Sequence, residues 1–303
     1  MKKPVGLGVD IGGSHITAAL VDLETRMIIQ DSITRSAIES KESKEVILTA
    51  WCDIINKAFE KSTVKTKLIG IAMPGPFDYE NGISLIKDQE KFKSLYKVNV
   101  KEELSKRLNV PAENIHFIND AAGFLQGEIF GGAARGNANV LGITLGTGLG
   151  SSYCIGGVAK DADLWNSEFM NSTAEDYLST RWFVKRYNQL SNNTVAGVKE
   201  LTAIAETDHL ATRVFMEFGY NLAQFLIPVI RKYKSDVVII GGNISLAFDA
   251  FSPELIATLK GNEIDADVKV TRLKEHAALI GAASCCDLKF LNEDKGAENQ
   301  NPQ

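Results

Sequence analysis

Two aspartates stand where apolar runs give out. Asp10 lies in GVDIGGSHITAALVD (8–22) and Asp120 in FINDAAGFLQGE (117–128). A buried carboxylate is costly without a partner, and glycines leave side-chain packing unmade, so the turn Gly12-Gly13-Ser14 after Asp10 implies that something is accommodated there. Glycine turns let backbone N–H groups approach an anion, because no Cβ blocks the path. A second such turn, Gly146-Thr147-Gly148-Leu149-Gly150, sits in ITLGTGLGSS (143–152). Two turns of this kind facing each other suit a polyphosphate held from both sides. Asp10 then points at the Mg²⁺ that the polyphosphate carries, through water. The alternative is two tight hairpins with Asp10 bonded to backbone. The chain has no P-loop lysine motif and no GxGxxG opening a helix. Gly241-Gly242-Asn243 follows a buried run, the position where ligands sit in α/β proteins and also that of a plain helix-entry turn. Asp120 opens a helix, and spacing alone favours an N-cap there.

The elements that position these residues follow from periodicity. Residues 5–11 and 16–22 read as a strand pair across the glycine turn, with a third strand over 27–34. Apolar residues from Val46 to Phe59 recur at helical spacing over 43–61. KLIGIAM (67–73) reads as a covered parallel strand before PGP. A helix near 99–108 and a strand over 116–118 complete a β-β-β-α-β-α-β order. A second strand pair, 140–145 with 151–155, is followed by helices near 173–189, 197–206 and 208–232. Pro228 is expected to kink or end the last of these. DVVIIGGN (236–243) is another buried strand, and a strand over 268–272 and a helix over 275–288 close the order. Laid over each other, GVDIGGSHITAALV and GITLGTGLGSSYCI share Gly8/Gly142 and Gly12/Gly146, which implies a duplicated architecture.

Composition bounds the function classes. The 303 residues carry a net charge of −5 with 45% hydrophobic and 23% charged residues, ordinary for a globular protein with sizeable cores. The acidic balance argues against nucleic acid or an anionic membrane as the main partner. No run reaches the roughly 18 apolar residues of a membrane helix, and the start MKKPVGLGVD has no sustained apolar region, so a soluble cytoplasmic protein is expected. Cys52, Cys154, Cys285 and Cys286 lack CxxC spacing and read as small apolar helix residues in a reducing compartment. Lys87, Lys91, Lys93 and Lys97 make one loop basic, read as a solvated face.

DIGGSHITAALVD, GIAMPGPFDYENG, FINDAAGFLQGE, ITLGTGLGSS, VVIIGGN and HAALIGAAS, in that order, resemble the pattern of the ROK family of sugar kinases, which includes bacterial glucokinases and belongs to the actin-like ATPase superfamily. The resemblance runs from residue 5 to about 288. It implies a two-domain α/β, ribonuclease H-like fold with ATP and sugar in an interdomain cleft. The domains expected are 1–119 plus a C-terminal helix at about 276–290, then 120–275, with a disordered tail over 291–303. By position, Asp120 is the general base, Asn119 binds an adjacent sugar hydroxyl and Asp10 positions Mg²⁺. Gly12, Gly13, Ser14, Gly146, Thr147 and Gly148 hold phosphates, and Gly241 and Gly242 lie beside adenosine. A homodimer is also implied.

One segment departs from the family pattern. Many ROK proteins carry Glu-Gly-His, a zinc-holding cysteine cluster and a second glutamate; here the segment is WNSEFMNSTAEDYLSTRWF (165–183). Glu168 and Glu175 match the two sugar-contacting glutamates, Asn171 takes the histidine place, and the cysteines have no counterpart, so no structural zinc is expected. Glu175 also reads as part of an acidic first helical turn with Asp176. The activity implied is ATP- and Mg²⁺-dependent phosphorylation of a hexose, most simply glucose at its 6-hydroxyl, with an N-acetylated hexosamine or a ketose as alternatives. Two other classes compete: a sensor of the same fold without catalysis, and a sugar-responsive repressor. The repressor is disfavoured because the first phosphate strand begins by Val5 with no room for a helix-turn-helix before it.

Overall fold

Apolar residues packed against one another from both faces make the first sheet. The computed structural model describes residues 4–61, 67–87, 89, 91–191 and 193–287, and the expected tail lies outside them. The chain divides into two units, Met1–Arg135 with Glu275–Gln303, and Gly136–Lys274. In the first, β1 (Val5–Ile11) pairs antiparallel with β2 (His15–Asp22), Asp10 opposite Thr17. The expected third strand is broken into β3 (Met27–Ile28) and β4 (Thr34–Ala37). The reason is Ser32: buried, its hydroxyl accepts from the Leu20 N–H at 2.8 Å and donates to the Ile29 carbonyl, forming a tight turn between the halves. Helix α1 (Lys44–Glu60) covers the sheet with Trp51. Strand β5 (Ile69–Met73) runs parallel to β1. The short pair β6 (Phe77–Asp78) and β7 (Ile83–Ser84), then α2 (Val100–Leu108), lead to β8 (Ile115–Asn119) beside β5, and to α3 (Asp120–Gly131).

The second unit repeats the plan with β9 (Asn139–Leu145), β10 (Leu149–Ile155) and β11 (Val158–Asp161) as antiparallel neighbours. A small hairpin, β12 (Glu168–Phe169) and β13 (Ser172–Thr173), precedes α4 (Ala174–Tyr177) and α5 (Thr180–Leu190). The single helix expected over 173–189 is thus two, because Ser179 is extended. Beyond it the Thr180 N–H and hydroxyl both donate to the Gly146 carbonyl, at 2.8 and 2.9 Å. Then come α6 (Val198–Ile204) and α7 (His209–Tyr233). Pro228 does not end α7. Its missing N–H forfeits one backbone bond, and the buried Phe225, Leu226, Ile227, Val229 and Ile230 around it hold the helix for five residues more. Strand β14 (Val237–Gly241) lies parallel to β9. Helix α8 (Phe248–Gly261), absent from the sequence expectation, precedes β15 (Asp267–Val270).

Both sheets share one strand order, β3-β2-β1-β5-β8 and β11-β10-β9-β14-β15, with a glycine hairpin at the first two strands of each. The duplication inferred from the glycine spacing is therefore topological. Helix α9 (Ala277–Ser284) returns to the first unit. It lies so close that a Cβ on Gly8 would meet the Leu279 carbonyl, and one on Gly127 of α3 the Ala277 carbonyl. This seam of α3 on α9 explains why the units divide after Arg135 rather than at the 119/120 boundary anticipated from the sequence.

Two glycine-to-alanine exchanges should move stability in opposite directions. Gly127→Ala forces α3 off α9 and should cost about 1–3 kcal/mol or more by overpacking. Gly261→Ala, at a helix end with nothing within reach of the new Cβ, should be neutral or stabilising by up to about 1 kcal/mol. Urea midpoints of the two variants against the parent chain check this.

Candidate active site

The first unit gathers its chemistry at the carboxyl ends of β1, β5 and β8. Asn119 ends β8 in extended conformation, and its side-chain oxygen accepts from the N–H groups of Ala121 at 2.9 Å and Ala122 at 3.1 Å. Asn119 is therefore the N-cap that spacing assigned to Asp120. The amide group of Asn119 donates to the Tyr79 hydroxyl at 3.2 Å, which donates in turn to the Met73 carbonyl at 3.1 Å. Tyr79 thus orients the cap, a contribution the sequence reading missed. With capping done by its neighbour, the Asp120 carboxylate accepts from the Ala121 N–H at 2.9 Å and from its own backbone N–H, and the residue is exposed to solvent.

Asp10, at the sheet end beside Ala72, accepts no hydrogen bond from a described residue. Burial, then the charge of Asp120, pushes its carboxyl from 3.8 up to about 6, against a downward pull from Arg35 of β4. Asp120 moves upward as well, through desolvation by the surrounding protein, opposed by the backbone N–H groups at the start of α3 and by the charge of Lys91. Solvent reaches Asp120 directly and softens that shift. The Gly12 N–H closes the turn on the His15 carbonyl at 2.9 Å, and the Ser14 hydroxyl pairs with the His15 ring at 3.0 Å.

In the second unit the Gly146 N–H closes its turn on the Gly148 carbonyl at 3.0 Å. A Cβ on Gly146 would meet nothing, so the turn is open on that face, and Thr147 is exposed. Glu175 of α4 is tied to this hairpin. One oxygen accepts from the Leu149 N–H at 3.0 Å and lies against Gly148, and the other takes the Arg181 guanidinium at 2.8 Å. Gly242 has a φ of +79°, and a Cβ there would run into the Leu145 carbonyl. The Gly241-Gly242 turn accordingly abuts the strand that leads into Gly146. Glu168 and Asn171 are exposed on the β12–β13 hairpin, while Phe169 between them packs edge-on to Tyr177 and Phe225. A separate cleft of about 590 Å³ beside α5, lined by Asp176, Arg181, Lys185, Arg186 and Glu217, contains none of these glycines and neither Glu168 nor Asn171.

No group of three His, Cys, Asp or Glu side chains forms a metal cage among the described residues. Asp10 suits instead a hard cation whose other ligands are phosphate oxygens and water, since its carboxylate lacks a hydrogen-bonding partner beside an amide-rich turn. All four cysteines are free thiols; Cys154 is on β10 rather than on a helix. No helix among the described residues is long and apolar enough to cross a membrane.

Paired sheets of one topology, each with a glycine hairpin, and a carboxylate pair at the strand ends of the first define a sugar kinase of the actin-like ATPase fold. The sequence pattern of the ROK family matches residues 6–162 and 171–287, and the chain belongs to that family. It is 26% identical to the glucokinase of Thermotoga maritima over 94% of this chain and 98% of that one. It is likewise 26% identical to the N-acetyl-D-glucosamine kinase of Citrobacter koseri, over 82% and 86% of the two chains. Among solved structures, a ROK family glucokinase from Streptomyces griseus in complex with glucose and AMPPNP superposes with a TM-score of 0.73. It is 25% identical, over 93% of this chain and 99% of that one. A ROK hexokinase from Thermus thermophilus gives 0.76 at 20% identity, covering 95% and 100% of the chains.

The Asp10 carboxyl predicts a pH signature without any ligand. Its folded value of about 6 exceeds the unfolded 3.8, so the native state holds that proton more tightly. The stability this contributes is present below about pH 4 and lost as pH rises to 6. Asp10→Asn removes the titration. The variant should match the parent near pH 4 and exceed it by up to about 3 kcal/mol above pH 7. Urea unfolding across pH 4–8 reads the difference.

Proposed function

We propose that this chain transfers the γ-phosphoryl group of ATP to a hexose hydroxyl, with Asp120 as general base. The observation that carries this reading is that Asn119 caps α3, leaving the Asp120 carboxylate uncommitted at the strand ends, beside Asp10. Desolvation by the surrounding protein raises its proton affinity, which brings a carboxylate closer to the working pH of a base. Phosphoryl transfer asks for positioning and charge stabilisation more than covalent chemistry, and the residues divide accordingly. The N–H groups of Gly13 and Ser14, with those of Thr147 and Gly148 of the second hairpin, bind phosphate oxygens, while Gly12 and Gly146 spend their N–H groups closing the two turns and leave the approach free of side chains. Gly241 and Gly242 give the adenosine a surface without side chains. Mg²⁺, held by Asp10 through water, would supply neutralisation of the phosphate charge. Asp120 accepts the hydroxyl proton as the new O–P bond forms.

For the sugar, Asn119 has one amide N–H left after Tyr79, and Glu168 and Asn171 present free polar groups on a hairpin anchored by Phe169. Glu175 keeps lone pairs beyond those given to Leu149 and Arg181, so one carboxylate links the sugar side of its unit to the phosphate hairpin. Glucose at its 6-hydroxyl is the first candidate and an N-acetylhexosamine the competitor, as the relatives named for both kinds of sugar suggest. A neutral Asn171, with one donor group and one acceptor, suits either. A pocket built to hydrogen-bond one hydroxyl rejects sugars lacking it strongly.

ADP release with MgATP against hexoses, N-acetylhexosamines and ketoses tests this. One sugar should turn over, and Asp120→Asn should lower kcat by about 10²–10⁴ while ATP still binds. Undiminished turnover in the variant would remove Asp120 as base. Absence of turnover on every sugar, with ATP bound, would favour a sensor.

A further inference from the structure

Lys91 is exposed, as the reading of its basic run as a solvated face expects, and its side chain also has a defined neighbour. The next residue, Phe92, is fully buried and packs edge-on to Trp51 at 5.6 Å. Its backbone is left-handed at φ +58°, and its N–H donates to the Ser40 carbonyl at 2.7 Å. A bulky residue in that region is uncommon and persists only when its surroundings impose it. Here the Trp51 contact and the Ser40 bond do so. The loop is therefore pinned one residue from Lys91, and the lysine side chain is delivered onto the first glycine hairpin. Its Cδ, Cε and Nζ each lie 2.5 Å from where a Cβ on Gly13 would stand. Gly13 is not in the left-handed region, so the turn itself does not demand glycine there, and a Cβ would displace only the flexible end of the lysine.

The charges around it point to what Lys91 awaits. Lys91 makes no ion pair with a described residue, although its charge acts on Asp120. Arg35, the other cation acting on this carboxylate pair, is already matched with Glu275 at 3.9 Å. A cation near Asp120, yet not in contact with it, leaves room for an oxygen-rich group between them. An incoming triphosphate would otherwise meet two carboxylates and the Arg35 guanidinium, which also faces Glu275 in an exposed pair. A neutral sugar hydroxyl needs no such cation, whereas a phosphoryl group does.

We propose that Lys91 binds the transferring phosphoryl group, leaving its resting place over Gly13 when ATP is loaded. The proposal rests on the kinase reading above. In the step it serves, the sugar oxygen forms a bond to the γ-phosphorus and the bond from that phosphorus to the β,γ-bridging oxygen breaks. The bond's electron pair leaves with ADP, and the hydroxyl proton passes to Asp120. Lys91 stays protonated throughout and offsets charge on the phosphoryl oxygens.

The test uses the full chain and the variants Lys91→Met, Lys91→Arg and Gly13→Ala, with Lys93→Met as a neighbouring exposed control. Calorimetric titration with ATP and with ADP comes first. Lys91→Met should weaken ATP binding about tenfold or more and leave ADP unchanged, because the contact is to the terminal phosphoryl. Equal effects on both nucleotides, or none on either, would overturn the proposal. In turnover, Lys91→Met should lower kcat by about 10²-fold with the KM for sugar little changed. Lys91→Arg should recover part of that loss, Gly13→Ala should fall between, and Lys93→Met should match the parent. A kcat for Lys91→Met within threefold of the parent would also overturn it. The nucleotide comparison needs no turnover, so failure of the kinase reading shows separately, as ATP binding by the parent chain without phosphorylation of any sugar.

Discussion

Asp10 and Asp120 repel one another, and the first unit is arranged around that repulsion. Burial and then the charge of Asp120 raise the cost of ionising Asp10, and desolvation raises that of Asp120. Such a pair persists in a fold only if something else depends on it. The surroundings compensate in part. Arg35 reaches Asp10 from β4, Lys91 reaches Asp120 from its loop, and the first N–H groups of α3 face the Asp120 carboxylate. None of these is an intimate ion pair with either aspartate. The protein keeps the cations close enough to make ionisation tolerable and far enough to admit oxygen atoms between. A contact salt bridge would have been the more stable arrangement and the chemically inert one.

The duplicated sheets show how one plan serves two tasks. Each has a hairpin closed by a backbone bond across a glycine turn, Gly12 to His15 in the first and Gly146 to Gly148 in the second. In the first unit the acidic residue is on the strand itself. In the second the corresponding place on the strand is Thr144, and the carboxylate comes from outside, as Glu175 of α4. That carboxylate accepts a hairpin N–H, while Thr180 donates twice to the Gly146 carbonyl. The first hairpin is thereby built for charge, and the second for position. The break between α4 and α5 follows from this, since a continuous helix would carry Thr180 away from Gly146.

Much of this was legible in the sequence, for reasons that are local. Glycine spacing exposes both hairpins, because close backbone approach can be met by few other residues, and the buried strands announce themselves as unbroken apolar runs. What escaped the sequence depends on contacts between distant segments. The cap on α3 falls to Asn119 rather than Asp120 because Tyr79, forty residues earlier, holds its amide. The third strand breaks because Ser32 bonds back to Leu20. Pro228 reads as a stop, yet the buried residues around it keep α7 intact. Lys91 is exposed like the other lysines of its run, but its place over Gly13 shows only once Phe92 is seen locked against Trp51. In each case the deciding partner is remote in sequence, and no periodicity encodes it.

The segment from Trp165 to Thr180 carries this argument to specificity. The resemblance to other ROK proteins leads one to expect a cysteine cluster there, and the sequence has none. For the sugar role proposed for Glu168 and Asn171, their hairpin must still be held rigidly, since a loose side chain loses both affinity and discrimination. Here apolar packing and backbone bonds hold it. Phe169 is wedged between Tyr177 and Phe225, the Ala174 N–H donates to the Ser167 carbonyl and the Glu175 N–H to that of Trp165, each at 2.9 Å. Those last two bonds also set the first turn of α4, and with it the carboxylate that steadies the second hairpin. The hairpin that carries Glu168 and Asn171 and the glycine turn at Gly146–Gly148 are thus tied together through α4. A change that loosens Phe169 would be felt at Gly148 as well as at Asn171.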